Sequence, residues 1–227
     1  MKEQPDDYDY KIAYLGMCIS EKSAWKQKSQ QQLRQIIECC ENLLKIELYE
    51  TEGILWKWFN AYIRLKQPVD KTYNKMLGIL ETLPDQEMNA TINFLRSILY
   101  FCKYIQTKDE KMIDFMHDCL QICKKLSGDR KNQSVTHYYF TDETVVGKNV
   151  LPLEFDRENA YWFDATVINA ESVQSGYLTL DMNPKLRAFF VPMHTELKRN
   201  QEINQSVKVK IGFRFDGLSA WEIKQKN

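Results

Sequence analysis

The stretch "KIGFRFDGLSAWEI", residues 210–223, places two aromatic-rich runs on either side of Gly217. Read back to Ser206, it sets Val207, Val209, Ile211, Phe213 and Phe215 on one side of an extended chain and Lys208, Lys210 and Arg214 on the other. That period of two is the signature of a half-buried strand. Gly212 interrupts it where a bulge or kink is expected. Asp216–Gly217 is a turn signal, after which Ala220 and Ile223 can return inward. Two such strands close a sheet and remove an edge that invites aggregation. Trp221 points opposite Ala220, either as a surface hot spot or beneath residues 135–159.

Towards the N-terminus the same rhythm recurs in "AYWFDATVINA" (160–170), "SGYLTLDM" (175–182) and "LRAFFVP" (186–192). Five short strands in such a span predict a small barrel. Leu178, Leu180, Phe189 and Val191 read as its core-facing positions. The segment 128–159 connects the barrel to what precedes it, and "THYYFT" (136–141) reads as an extra strand or an extended connection.

Before residue 127 the period is helical. Leu33, Ile36, Ile37, Cys40, Leu43 and Leu44 form one stripe, and Leu55, Trp58, Phe59, Tyr62 and Ile63 another, with Gly53 expected between them. Pro68 ends the second helix, Asp70 is expected to cap a third, and Pro84–Asp85 breaks it. A fourth is expected over 87–105 and a fifth over 109–126. The helices resemble antiparallel pairs of a degenerate tetratricopeptide-type array. The expected fold is therefore α+β: a helical-repeat domain (1–127), a connecting segment (128–159) and a five-stranded barrel (160–227).

The 227 residues are 44% hydrophobic and 27% charged, with 31 basic and 31 acidic side chains. Acids and bases also balance on each side of residue 127, so no global field draws the chain to nucleic acid or anionic membranes. The six cysteines do not form the framework of a small secreted domain and read as reduced thiols. No apolar leader segment and no run of eighteen apolar residues occurs, so the expectation is a cytoplasmic chain without membrane association.

The barrel resembles cold-shock-type oligonucleotide-binding domains. "SGYLTL" (175–180) is similar to their second strand, "AFFVP" (188–192) to the third, and "NQSVKVKI" (204–211) with "DGLSAWEI" (216–223) to the closing pair. The likeness covers about residues 160–224. It implies stacking of unpaired bases on Tyr177 and Phe190, with phosphate contacts from Lys185, Arg187, Lys208, Lys210 and Arg214. Thr179 and Pro192 stand where such domains carry a further aromatic and a histidine, so two of four platforms are missing. The order of helical array and barrel also resembles the C-terminal region of STAND-type NTPases of defence systems. No G-x-x-x-x-G-K-[ST] loop occurs in these 227 residues, so the resemblance implies either a fragment of a larger NTPase or a stand-alone relative working beside a partner NTPase or effector.

Catalytic and metal signals are weak. Arg130 and His137 have the R-x6-H spacing of HEPN-type ribonucleases but straddle a linker. Cys119 and Cys123 share a helix face near His117, yet no second ligand pair completes a zinc site. His194 has no nucleophile in an interpretable motif beside it, and Asp156, Glu158 and Asp164 have no evident cleft. Trp56, Trp58 and Tyr62 exceed what one helix stripe needs, which suggests a protein-binding surface on the array. The expectation is a non-catalytic sensing or adaptor module without metal or cofactor, whose array binds protein and whose barrel contacts single-stranded RNA or DNA. The alternative is an interaction module that binds no nucleic acid.

Overall fold

The computed structural model describes residues 28–45, 51–83, 89–126, 128, 138–141, 150–172, 174–195, 197 and 203–226. The chain divides into two compact units, Met1–Gln86 and Glu87–Asn227. The boundary expected at residue 127 thus falls inside the second unit.

The first unit contains helices α1 (Gln30–Leu44), α2 (Thr51–Leu65) and α3 (Val69–Thr82). A capping box starts α1: the Gln32 amide donates to Ser29 Oγ at 3.2 Å, and the Ser29 amide donates to Gln32 Oε1 at 2.9 Å. Gly53 lies within α2 instead of separating two helices, because α2 begins at Thr51. Lys66 adopts a left-handed conformation (φ 53°) after α2, and Pro68, not Asp70, is the N-cap of α3. Proline has no amide hydrogen to lose there.

One carboxylate ties the three helices together. Glu41 of α1 accepts from the Tyr62 hydroxyl at 2.6 Å and from the Trp58 indole at 3.5 Å, both on α2, and pairs with Lys75 of α3 at 2.9 Å. Trp58 is 0% exposed and meets Tyr62 edge to face at 5.3 Å. The cluster that suggested a binding surface is an interior: Trp58 and Tyr62 are core, and only Trp56 is half-buried. A helix apolar on most sides is covered on most sides.

Among the described residues, the second unit joins helices α4 (Ala90–Thr107) and α5 (Lys111–Leu126) to a sheet of seven strands. The Asn89 side chain caps α4 by accepting from the Ile92 amide at 3.0 Å, and Asp109 accepts from the Lys111 amide at 3.1 Å where α5 begins. The strands are β1 (Tyr139–Phe140), β2 (Leu153–Glu154), β3 (Phe163–Ser172), β4 (Ser175–Leu180), β5 (Arg187–Phe190), β6 (Ser206–Arg214) and β7 (Gly217–Gln225). Their order is β2-β1-β6-β3-β4-β5-β7, and an additional β6–β7 pairing closes β3 to β7 into a five-stranded barrel. All pairings are antiparallel except β5–β7. "THYYFT" therefore contributes a strand, β1, which lies beside β6 at Tyr139 and Gly212.

The apolar side of the closing strands is buried as expected, Val207, Val209, Ile211, Phe213 and Phe215 all at 3% exposure or less. Helix α4 completes that core with rings. Phe94 meets Phe213 at 6.1 Å and Phe215 at 4.6 Å, while Phe101 meets Phe140 at 4.4 Å and Phe213 at 5.8 Å. Each such pair is worth about 0.5–1.5 kcal/mol beyond its area, so this cluster holds helix and barrel as one unit. Polar contacts flank it: Tyr104 donates to the Met182 carbonyl at 3.1 Å, and Gln106 to that of Val150 at 2.8 Å.

On β7 the register slips between Lys210 and Ile211, whose partners are Glu222 and Ala220. Trp221 is the extra residue, a bulge. Its indole lies over Gly212, where a Cβ would collide with the Trp221 ring nitrogen, and meets Tyr139 edge to face at 6.1 Å. Trp221 is thus half-buried, with Tyr139 of the segment before the barrel against it.

Candidate nucleic-acid interface

The outer face of the barrel follows from register. Leu178 and Leu180 point inward, as expected, and Tyr177 therefore points outward at 43% exposure. Strand β5 pairs with β4 so that Tyr177 faces Phe189 and Thr179 faces Arg187. The outward aromatic pair is Tyr177 and Phe189, with ring centroids 5.8 Å apart at 73°. Phe190 is not a stacking platform: it is 1% exposed, inside the barrel opposite Gly176. Phe189 and Val191, expected in the core, are half-exposed. A shift of one residue exchanges the two faces of a strand.

The cations divide in the same way. Arg187 is exposed beside Tyr177 and Phe189. The Arg214 guanidinium lies over the Phe189 ring at 4.8 Å and pairs with Asp216 at 3.3 Å. Lys210, expected on a basic outer face, has a side chain only 7% exposed. Its ammonium donates to the Arg157 carbonyl at 2.8 Å, pairs with Glu222 at 3.3 Å and sits 4.9 Å from the Trp162 ring centroid. It is a structural cation and cannot also contact phosphate. Lys185 pairs with Asp114 at 2.9 Å, a contact that raises its pKa. Lys208 pairs with Asp164 at 3.6 Å; Lys226 first, and Lys208 after it, holds that carboxyl below its usual range.

A groove of about 390 Å³ runs along this face. The barrel supplies Tyr177, Arg187, Phe189 and the turn Asp216–Leu218, while α5 supplies Met116, His117, Leu120, Gln121 and Lys124. Of these α5 residues only His117 is singled out by the sequence, as a neighbour of two thiols. Spacings of four and three do place His117, Gln121 and Lys124 on one helix face, but only the fold brings that face to the barrel.

The remaining signals resolve into structure. Cys119 and Cys123 are buried, and among the described residues no group of histidine, cysteine and carboxylate side chains could hold a metal. Asp156 caps a short 3-10 helix by accepting from the Glu158 amide at 3.1 Å. His194 falls in the 3-10 turn Pro192–His194, and Arg130 and His137 lie outside the described residues. Among the described residues no helix is long and apolar enough to cross a membrane. Compared with family models, curated proteins and solved structures, the chain matches none.

Proposed function

We propose that this chain is a non-catalytic binding module whose barrel contacts single-stranded RNA or DNA through the face bearing Tyr177 and Phe189. The observation that carries the reading is their pairing at 5.8 Å on the outer face, with Arg187 beside them. Adjacent aromatics with a cation are what sequence-tolerant recognition of unpaired bases requires. The strand order β3-β4-β5-β7-β6 with one parallel pair supports an oligonucleotide-binding type of barrel, in which the second and third strands carry the ligand face. Those strands here are β4 and β5. The helical array is the part that binds protein, and the resemblance to STAND-type proteins suggests that the module works with an NTPase in defence or signalling.

The test is fluorescence anisotropy with short labelled RNA and DNA at low and physiological salt. Tyr177→Ala and Phe189→Ala should each weaken binding by about 1–3 kcal/mol, and Arg187→Ala should reduce its salt dependence. Binding indifferent to all three substitutions overturns the reading. One observation favours a second reading, a face that docks protein instead: Lys185 and Lys208 are already paired with Asp114 and Asp164. No binding of any nucleic acid would decide for it.

A further inference from the structure

The groove has two walls, and only one belongs to the barrel. Met116 and Leu120 of α5 are buried, so the helix is fixed against the rest of the unit while His117, Gln121 and Lys124 line the opening. A volume of about 390 Å³ lies near the lower end of the roughly 300–1,000 Å³ usual for small-molecule sites. Barrels that track a strand instead engage roughly 4–16 nucleotides along an open groove.

The rings impose the same restriction. Tyr177 and Phe189 stand at 73°, so a base lying flat on one meets the other edge on. They form a corner for one base, not a stack for two. One face of Phe189 is already taken by Arg214, whose charge is offset by Asp216. Arg187 on the barrel wall and Lys124 on the helix wall are the exposed cations lining the groove.

Resting on the single-stranded reading above, we propose that the groove is a pocket for one nucleotide unit. Its base lies in the Tyr177–Phe189 corner, its phosphate is held between Lys124 and Arg187, and Gln121 and His117 meet the base edge. Helix α5 is then the element that sets specificity. The recognised chemistry is a nucleoside monophosphate, whether free or at the end of a strand.

Binding of the four ribonucleoside 5′-monophosphates, and of single strands from two to sixteen nucleotides in linear and circularised form, distinguishes these sources. Affinity should reach its plateau by the dinucleotide. A free nucleotide as ligand predicts that mononucleotides bind as well as any strand, whereas a strand end predicts linear but not circular binding. Lys124→Ala and Gln121→Ala should weaken every competent ligand at least fivefold, and Gln121→Trp, which fills the groove, should abolish binding; thermal melting of each variant checks its fold. Affinity that climbs steadily with length, or loss on Tyr177→Ala with no effect at Lys124 and Gln121, overturns the pocket and leaves a strand-tracking barrel. Failure of every nucleotide and strand to bind overturns the broader reading as well.

Discussion

Gly176 and Phe190 are cross-strand partners, and a Cβ on the glycine would lie 2.6 Å from the phenyl ring. The missing side chain on β4 is the space that the ring on β5 occupies, an inward aromatic filling the place of a glycine. This contact fixes which of the two adjacent phenylalanines faces the solvent. Gly176→Ala should therefore cost about 1–3 kcal/mol by overpacking, and Phe190→Ala about 3–5 kcal/mol through the cavity it leaves. Phe189→Ala should cost much less stability. Denaturant titrations of the three variants rank them, and equal losses at Phe189 and Phe190 would contradict the register.

Glu41 and Tyr62 give the first unit a dependence on alkaline pH. Burial, and then the hydrogen bond to Glu41, pushes the Tyr62 phenol well above its ordinary range. The fold keeps the neutral phenol, so this contribution is whole below the ordinary phenol pKa of about 10 and is lost as pH rises beyond it. Tyr62→Phe should flatten the fall in stability that begins above about pH 10 relative to the parent chain.

Glu41→Ala at neutral pH should cost about 1–3 kcal/mol, because it leaves the Tyr62 hydroxyl without its acceptor. The double variant Glu41→Ala with Tyr62→Phe should lose less than the sum of the two single variants. A strictly additive cycle would break the proposed tie between α1 and α2.

Lys210 and Arg187 should separate stability from binding. Lys210→Ala removes one of the two cations paired with Glu222, which keeps Arg157 at 2.7 Å, and the donor to the Arg157 carbonyl, at a cost of about 1–3 kcal/mol. Arg187→Ala should leave the melting temperature within a degree or two, about the effect of an ordinary surface change, while weakening nucleotide binding. The opposite pattern would return Lys210 to the ligand face.

The thiols of the second unit should resist alkylation in the native state. Burial pushes Cys119 up to about 11 and Cys123 further still. Since only the thiolate reacts, native labelling with iodoacetamide should be slow and should become fast on unfolding. Mass spectrometry of peptides after timed quenching reads this directly.

Much of this fold is legible in the chain. The helical stripe through Leu33, Ile36 and Cys40, and the alternation from Val207 to Phe215, are local patterns with a single solution. Phe189, Phe190 and Val191 are not: three apolar residues in a row carry no alternation, and only the pairing with β4 assigns their faces. Lys210 follows a perfect polar rhythm yet is buried, because Trp162 and Glu222 supply it with a ring and a carboxylate. Both lie on other parts of the sequence. The α5 wall of the groove is hidden for the same reason, since helix and hairpin are separated by the whole connecting segment.

Strand β7 lies between β5 and β6 and hydrogen-bonds to both. A nascent chain that has not yet delivered Gly217–Gln225 from the ribosome therefore presents two naked strand borders at once, each a template for a neighbouring polypeptide. Until those residues arrive, the chain is a candidate for chaperone capture. Ring closure makes the final segment synthesised in this region the one that seals the molecule against its own copies.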